Sequence, residues 1–250
     1  MNKELRIKED AGTLFVIATP IGNLKDITIR ALEVLKSADL IACEDTRVSG
    51  KLLAHFDIKK PLVSYFQHSK LSKIEYIIEE LRSGKNIALI TDAGTPGISD
   101  PGQQLVSRIR NKELGEAAKN PNTYSLIPNT NIRIIPIPGA SALAGAASVS
   151  GMIEKEFYFA GFLPKKKGRQ TQFQSFKLFN CPIVIYESAL RLERTLSDIQ
   201  KFMGENTEVF IAREMTKMFE EYWGGSVGEV ILTLKDHQIK GEVVLVIKSN

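Results

Sequence analysis

The segment ITDAGTPGISDPG, residues 90–102, concentrates residue types that form ligand-binding loops, with three glycines, two prolines and two aspartates. Glycine lets the backbone approach a ligand closely, and proline stiffens the loop so that less entropy is lost on binding. The glycine spacing fits neither the G-x-G-x-x-G dinucleotide loop nor the triphosphate loop, which needs a following lysine and hydroxyl. Because Asp92 and Asp100 place negative charge where a polyphosphate would lie, the segment predicts a ligand with a cationic part. Asp100 also suits the N-cap of the next helix.

A second group of polar residues, Glu44, Asp45, Thr46 and Arg47, follows the apolar run DLIAC. Asp45 or Thr46 is expected to cap the helix that comes next. A carboxylate beside a guanidinium at the end of a strand could orient a ribose hydroxyl or a phosphate, and this is the role that we assign to Glu44 and Arg47.

A basic run, KKKGR, places four cations within residues 165–169, directly after FAGFLP. Charge runs are usually solvated loops, but every cation that meets an RNA phosphate releases counterions and strengthens binding. The candidate RNA-binding cations are Arg47, Lys165, Lys166, Lys167, Arg169, Arg191, Arg213 and Lys217. Glu220 and Glu221 interrupt this surface. In TPIGNLKD, residues 19–26, Asn23 is expected to contact the substrate and Asp26 to cap a helix.

The elements that must position these residues alternate between strands and helices. In the first half, TLFVIAT, DLIAC and NIALIT are strand-like, whereas ITIRALEVLKSA and LSKIEYIIEELRSG have helical periodicity, the latter ending at Gly84. Apolar strands separated by helices imply a parallel sheet covered on both faces. Residues 111–131 are polar and contain Pro121 and Pro128, so they predict a surface excursion before the strand IRIIPIPG.

The second half repeats the alternation, with FYFAGF, PIVIYES, EVFIARE and GEVVLVI as strands and RLERTLSDIQKF and SVGEVILTL as helices. We predict an α/β fold with two α/β lobes, residues 1–137 and 138–250, and a single doubly wound sheet as the alternative. The small residues of PGASALAGAASVSG predict a closely packed helix. Its start, residues 139–142, is expected to face a ligand, because α/β sheets bind ligands where a helix begins after a strand.

Composition limits the class of protein. Hydrophobic residues make up 43% of the chain and charged residues 25%, and no apolar run reaches the roughly 20 residues of a membrane helix. The N-terminus has no apolar signal region, so a cytoplasmic protein is expected. Cys43 and Cys181 suit buried thiols, and the scattered histidines predict no metal site. The net charge of +4 permits an RNA partner without requiring one.

The segments TPIGNLKD, ACEDTR, TDAGTPGISDPG and PIPGASAL, in this order, resemble the tetrapyrrole methylase superfamily. The likeness continues through FAGFLPKKKGR, IYES, AREMTK and GEVVLVI, and it is strongest to members that methylate the ribose 2′-hydroxyl of a cytidine in 16S rRNA. The resemblance implies two α/β lobes of the tetrapyrrole methylase type, with the cofactor S-adenosylmethionine in the cleft between them, and a homodimer.

Carried over position by position, the resemblance implies cofactor contacts from eleven residues: Ala93, Gly94, Thr95, Pro96, Ile98, Ser99, Ser141, Ala142, Tyr186, Gly241 and Glu242. Relatives commonly have proline at the position of Ala140 and a Pro-His pair at Ala189 and Leu190, so any role of that histidine is absent here. Many relatives also extend past the last strand into a small helical tail, whereas this chain ends at Asn250. If that tail helps to grip the ribosomal subunit, binding here is expected to rely on other surfaces.

The expected activity is S-adenosylmethionine-dependent 2′-O-methylation of a cytidine in 16S rRNA, on the free RNA or the 30S subunit. Holding oxygen, methyl carbon and sulfur in line can account for roughly 7–11 kcal/mol of the barrier. Glu44 is expected to act as the general base, with Asp26 and Glu187 as alternatives. Two other functions stay open: methylation of a tetrapyrrole precursor, which needs no basic rim, and RNA binding without catalysis, which predicts no heat stabilisation by the cofactor.

Overall fold

The computed structural model describes residues 11–65, 71–113, 132–235, 237 and 239–248. The chain divides into two compact units. The first comprises Met1–Pro20 and Leu24–Ala140, and the second comprises Ile21–Asn23 and Ser141–Asn250. The main boundary between the two units therefore lies between Ala140 and Ser141. The sequence predicts this boundary slightly earlier, between residues 137 and 138.

The first unit contains a five-stranded sheet with the order β3-β2-β4-β1-β5, in which every neighbouring pair is parallel. Its strands are β1 (Thr13–Ile17), β2 (Leu40–Cys43), β3 (Leu62–Ser64), β4 (Ile87–Ile90) and β5 (Arg133–Ile137). Its helices are α1 (Ile29–Ser37), α2 (Thr46–His55), α3 (Leu71–Arg82) and α4 (Gly102–Glu113). The carboxyl ends of all five strands consequently lie along one edge of the sheet.

Both faces of this sheet are covered, as the continuous apolar strands predict. In β2, Leu40 and Ala42 join one buried cluster, which includes residues of α3 and α4. Ile41 and Cys43 point to the opposite face and join a second cluster, which includes residues of α1 and α2. Successive side chains of a strand alternate between faces, so a strand buried on both sides must be apolar throughout.

Three local predictions for this unit have different outcomes. Asp26 does not cap α1, because the helix begins at Ile29 and the Thr28 hydroxyl accepts the N–H of Ala31. Asp26 ends a short 3-10 turn instead. Gly84 follows α3 with a φ of 95°, as a helix-terminating glycine should. The first three residues of the predicted excursion, 111–113, belong to α4, and residues 114–131 lie outside the described part of the chain.

The second unit contains a five-stranded sheet with the order β6-β7-β10-β8-β9. Its strands are β6 (Tyr158–Phe162), β7 (Ile183–Ser188), β8 (Glu208–Arg213), β9 (Glu221–Ser226) and β10 (Glu242–Lys248). Its helices are α5 (Ala142–Val149), α6 (Arg169–Phe176), α7 (Ala189–Met203) and α8 (Val227–Leu234). Residues of α6, α7 and α8 share a buried cluster on one face, and Ala146 of α5 belongs to a cluster on the other.

The second sheet is mixed, unlike the parallel sheet of the first unit. β6 and β7 are parallel, but β10 lies between β7 and β8 and runs antiparallel to both. β9 then pairs antiparallel with β8 at the edge. Its sequence, EYWGGS, lacks the apolar run on which strand prediction depends, because an edge strand needs less burial. Two separate sheets also exclude the single doubly wound sheet.

Within the described residues, the two cysteines differ in burial. Cys43 is buried, as the sequence predicts, but Cys181 is partly exposed, and both are free thiols. No group of three or more metal-binding side chains converges in that part of the chain. None of its helices is both long enough and apolar enough to cross a bilayer.

Candidate functional site

The residues that follow β4 form a loop over the carboxyl edge of the first sheet, and we call residues 91–102 the glycine loop. Thr19, which follows β1, forms reciprocal backbone hydrogen bonds with Gly94, at 2.9 and 3.1 Å. The Thr95 hydroxyl donates to the Ala140 carbonyl at 3.0 Å, and the Tyr65 hydroxyl donates to the Pro101 carbonyl at 3.1 Å. The loop is thus tied to chain segments that follow β1, β3 and β5.

Inside the glycine loop, the Asp100 carboxylate accepts the N–H of Gly97 at 2.9 Å and that of Gly102 at 2.7 Å. Asp100 therefore closes the turn and caps the start of α4, as its spacing predicts. Gly94, Gly97 and Ser99 all have positive φ, of 83°, 88° and 65°. The glycines adopt this conformation without steric cost, but Ser99 does not, and strain of this kind is concentrated at functional sites.

Glu44 lies beneath the glycine loop. Its Oε2 accepts the buried Thr91 hydroxyl at 2.8 Å. Together with Tyr65, Pro96 and Asp100, Glu44 lines a small cavity of about 10 Å³, which has room for no more than about one water molecule. The carboxylate is therefore positioned by a neutral donor, and no lysine or arginine among the described residues forms an ion pair with it.

Asp45, the next residue, is in a different environment. Its carboxylate accepts the Arg47 backbone N–H at 2.8 Å and caps α2. Of the two caps that the sequence allows, Asp45 and Thr46, the structure therefore has Asp45. The Arg47 guanidinium also binds it at 2.6 Å, and these hydrogen bonds lower the pKa of Asp45 to about 2. The Asp45 N–H donates to exposed Asp92 at 3.1 Å. Desolvation raises the pKa of Asp92, and the neighbouring Asp45 carboxylate adds to this rise.

The candidate cofactor residues of the second unit form two groups. Ser141 caps α5 by accepting the N–H of Ala144, and the Tyr186 hydroxyl accepts the N–H of Leu143 at 3.2 Å. Ser141, Ala142 and Tyr186 therefore meet at the start of α5. Tyr186 also packs edge-on against Phe162, with ring centroids 5.5 Å apart.

Gly241 and Glu242 form the second group, where β10 begins beside the end of β7. The Gly241 carbonyl accepts the N–H of Ala189 at 3.0 Å. Gly241 has a φ of 96°, which favours glycine, and a Cβ there would lie 2.3 Å from the Glu214 carboxyl carbon, so the Glu214 side chain would have to move. Lys217 Nζ binds both Glu214 and Glu242 at 2.8 Å. Desolvation alone would raise the pKa of Glu214, but the hydrogen bonds from Lys217 and the Glu242 N–H outweigh it and lower that pKa.

The two alternative bases are placed differently from Glu44. Asp26 lies on the exposed turn before α1. Glu187, at the end of β7, is 1% exposed, and both of its carboxylate oxygens accept hydrogen bonds. Oε1 accepts the Ser188 N–H at 2.9 Å and forms an ion pair with Arg191 Nε at 3.0 Å, and Oε2 accepts the Thr195 hydroxyl at 2.8 Å. Both carboxylate oxygens of Glu187 are therefore already engaged within its own unit.

The candidate RNA-binding residues separate by exposure. Lys165, Lys166 and Lys167 are exposed, as is Asn23, and the Arg47 side chain is 87% exposed. Arg169 requires a correction, because it is 3% exposed and bound to Asp198 at 2.7 Å, so its guanidinium is not available to a phosphate.

Three further cations are already engaged within the second unit. Arg213 pairs with Glu221 and donates to the Lys240 carbonyl. Lys217 is held by Glu214 and Glu242, and Arg191 by Glu187. These side chains can still contribute to the electrostatic potential, but a direct phosphate contact would have to compete with carboxylates.

Sequence reasoning did not identify Thr19, Tyr65 and Thr91 as parts of the site. Each is buried and follows a strand of the first sheet, and each hydroxyl donates to a partner in or beneath the glycine loop. A polar residue directly after an apolar strand is the signal that could have found them. That signal is weak, because many strands end in this way.

Comparison with known proteins places the chain in a family. The family model for tetrapyrrole (corrin/porphyrin) methylases matches residues 13–231. The protein named ribosomal RNA small subunit methyltransferase I in Synechocystis sp. is 45% identical over 237 residues, which cover 94% of this chain and 78% of that protein. The protein of the same name in Thermotoga maritima is 42% identical, over 94% of this chain and 98% of its own length.

Solved structures show the same fold at low sequence identity. Cobalt precorrin-4 methyltransferase matches with a TM-score of 0.63 at 15% identity, covering 94% of both chains. A uroporphyrin-III C-methyltransferase from Thermus thermophilus, complexed with S-adenyl homocysteine, matches with a TM-score of 0.61 at 13% identity, covering 95% of this chain and 97% of that one. Since the family model spans most of the chain and the relatives match it nearly end to end, the chain belongs to the tetrapyrrole (corrin/porphyrin) methylase family.

Proposed function

We propose that this protein is an S-adenosylmethionine-dependent methyltransferase that methylates the ribose 2′-hydroxyl of a cytidine in 16S rRNA. The observation that carries the proposal is the identity of 40–45% to proteins named ribosomal RNA small subunit methyltransferase I, extending over at least 94% of the chain. The exposed lysines 165–167 support a polyanionic substrate over a small macrocycle.

The glycine loop has the properties that S-adenosylmethionine requires. Ala93 is exposed at the loop and Gly97 is partly exposed, so the backbone there is accessible to a ligand. Asp92 adds an exposed carboxylate, and no lysine or arginine lies in residues 91–102, which suits a sulfonium better than a phosphate chain. When bound, the cofactor supplies an electrophilic methyl group.

The residues proposed to hold the cofactor are those that the resemblance implies. In the first unit they are Ala93, Gly94, Thr95, Pro96, Ile98 and Ser99. The second unit supplies Ser141 and Ala142 at the start of α5, Tyr186 in β7, and Gly241 and Glu242 at the start of β10. The ties from Thr19 and Tyr65 fix the loop before the ligand arrives, so less ordering entropy is lost on binding.

Glu44 is the proposed general base. Methyl transfer to a hydroxyl oxygen forms a C–O bond, breaks the S–C bond and releases the hydroxyl proton, which a carboxylate can accept. Thr91 orients Glu44 without neutralising it, whereas Arg47 neutralises Asp45 and Arg191 neutralises Glu187. Asp26 stays an alternative on its exposed turn.

The test is to incubate the protein with methyl-labelled S-adenosylmethionine and either 30S subunits or free 16S rRNA, and then to map the label. We expect label on one cytidine ribose, read as resistance of the following phosphodiester to alkaline hydrolysis. Label on a base, or transfer only to a tetrapyrrole precursor offered in parallel, would contradict the proposal. Comparing the two RNA samples identifies which form is the substrate.

The assembly and location follow from the same proposal. We infer a homodimer acting in the cytoplasm, where ribosomal subunits are made. Light scattering on the purified protein is expected to give about twice the 27.8 kDa of one chain. A mass equal to that of a single chain would contradict the dimer and leave the methyl-transfer test unaffected.

A further inference from the structure

The exposed lysines belong to a short segment between β6 and α6, and we call residues 163–168 the lysine loop. Lys165, Lys166 and Lys167 are exposed, whereas Leu163 at the start of the loop is buried. The loop ends at Gly168, which has a φ of 84° and precedes the first residue of α6. A segment of this kind, with three adjacent cations that repel one another, has no internal reason to hold a single conformation.

Three arginines bind successive carbonyl groups of this loop. Arg191 Nη2 donates to the Leu163 carbonyl at 2.6 Å. Arg169 Nη1 donates to the Pro164 carbonyl at 3.4 Å, and Arg194 Nη1 donates to the Lys165 carbonyl at 3.2 Å. The donors come from both α6 and α7. The backbone at the start of the lysine loop is therefore held from its inner side, while the lysine side chains stay exposed to solvent.

Two of these arginines, Arg191 and Arg169, are fixed in turn by side chains of the same unit. One Glu187 oxygen forms an ion pair with Arg191 Nε at 3.0 Å, and the other accepts the Thr195 hydroxyl at 2.8 Å. The Thr195 hydroxyl itself accepts from Arg169 Nη2 at 2.8 Å, and Asp198 accepts from Arg169 Nε at 2.7 Å. Glu187, Arg169 and Thr195 are each no more than 3% exposed. Buried charges of this kind are costly unless fully paired, so the network defines one geometry.

We propose that Glu187 is a positioning residue that holds the lysine loop, through Arg191, Thr195 and Arg169, in the conformation that binds RNA phosphates. The proposal rests on the proposed function for its ligand. It assigns the buried network a role in RNA binding in addition to its role in stability. Preorganisation removes the ordering cost of the loop from the binding step. It also predicts that Glu187 affects the binding of the RNA and not the chemical step.

Glu187→Gln tests this inference because electrostatics alone and loop positioning predict opposite changes in the affinity for RNA. Removing a negative charge makes the protein more cationic and frees Arg191, so electrostatics alone predicts tighter RNA binding. Loss of loop positioning instead predicts an RNA Kd that is weaker by about tenfold. It also predicts a slope of log K against log salt that is shallower by about two, because three phosphate contacts are weakened. The measurement is fluorescence anisotropy with a 16S rRNA fragment across a salt series.

Hydrogen exchange gives a second readout that needs no RNA. The amides of Arg169 and Gln172, which donate to the Lys166 and Gly168 carbonyls of the lysine loop, report on its opening, and we call their exchange loop exchange. It is expected to be about tenfold faster in Glu187→Gln than in the parent, because local opening breaks these hydrogen bonds. Glu229→Gln is the matched control, since it removes one negative charge from the exposed cap of α8 in the same unit. It should leave both loop exchange and RNA affinity unchanged.

Thr195→Val provides a variant that keeps every charge, in case Glu187→Gln folds poorly. It removes the hydroxyl that joins Arg169 to Glu187 and should shift loop exchange and RNA affinity in the same direction. In a protein whose three lysines are already alanine, Glu187→Gln should cause no further loss of RNA affinity, because the two changes act on one interaction.

Methyl-transfer kinetics on the wild-type substrate separate this inference from the proposed function. For Glu187→Gln we expect KM for the RNA to rise and kcat to stay within about twofold. A collapse of kcat with unchanged KM, unchanged loop exchange, or tighter RNA binding would each overturn the positioning role. If the wild-type protein transfers no methyl group, the proposed function fails, whereas loop exchange and RNA binding still decide the role of Glu187.

Discussion

At the scale of single residues, Glu44 and Asp45 show how neighbouring carboxylates at one strand end acquire different tasks. Asp45 is bound by the Arg47 guanidinium and backbone N–H, and its pKa is lowered to about 2, so it is a fixed anion that caps α2. Glu44 is oriented by the Thr91 hydroxyl and lines the cavity under the glycine loop. Two acids whose environments differ in this way can divide structural and proton-accepting roles.

Glu44→Gln is expected to lower kcat by about 10²–10⁴-fold, the range typical of a removed general base. The amide oxygen of glutamine can still accept the Thr91 hydroxyl, so the KM for S-adenosylmethionine should change by less than about twofold. Steady-state kinetics with saturating 30S subunits measure both constants. Glu79→Gln is the matched control, because Glu79 is exposed on α3 of the same unit, and it should leave both constants unaltered. Wild-type kcat in Glu44→Gln would exclude Glu44 and favour Asp26.

At the scale of elements, the glycine loop functions through its attachments to the sheet edge. Segments that follow β1, β3 and β5 hold it through Thr19, Tyr65 and Ala140. Asp100 closes its last turn onto α4 through the N–H groups of Gly97 and Gly102. A loop with so many fixed points presents its backbone to a ligand with little further ordering.

Gly102→Ala should damage this loop. A Cβ at Gly102 would lie 2.9 Å from Asp100 Oδ1 and 3.0 Å from the Gly97 nitrogen, so the cap has to shift. We expect the free energy of unfolding to fall by about 1–2 kcal/mol. The affinity for S-adenosylmethionine should fall by about tenfold, which isothermal titration calorimetry measures.

Gly50→Ala is the matched control for that change, because Gly50 lies within α2 and its Cβ would meet nothing within 4 Å. Alanine is the better helix former, so stability should rise by up to about 1 kcal/mol while cofactor affinity stays constant. Equal effects of the two substitutions on cofactor binding would remove the glycine loop from the cofactor site.

At the scale of the whole molecule, the chain builds two units, each with its own buried clusters on both faces of its sheet. Each unit also contains residues that we propose for the cofactor. A ligand that binds only the native state stabilises whichever unit holds it, by an amount that depends on its concentration and Kd. Heat denaturation is therefore a direct test of cofactor binding in the intact chain.

S-adenosylmethionine at 100 times its Kd should stabilise the native protein by about 2.7 kcal/mol. For a chain of this size, that corresponds to a rise in Tm of about 5–10 °C. Scanning calorimetry measures the shift, with ATP at the same concentration as the control for a polyphosphate ligand. A shift produced by ATP and not by S-adenosylmethionine would contradict the assignment of the glycine loop.

The sequence by itself determined the features that depend on neighbouring residues. The apolar strands β2 and β4, the helix α3 with its terminating Gly84, and a cap of α2 at Asp45 or Thr46 all follow from spacing within a few residues. The glycine loop and its lack of phosphate-binding cations can be read in the same way. The ordered motifs that run through the chain also indicated the family before any contact was known.

Only the tertiary structure decided which distant residues meet. The insertion of β10 between β7 and β8 makes the second sheet mixed, and no local pattern encodes that order. Arg169 belongs to a basic run in the sequence, yet Asp198, 29 positions away, draws it into the interior. A periodic pattern reports which face of an element is buried, but the partner of a charge depends on packing between elements, and packing is decided by the whole fold.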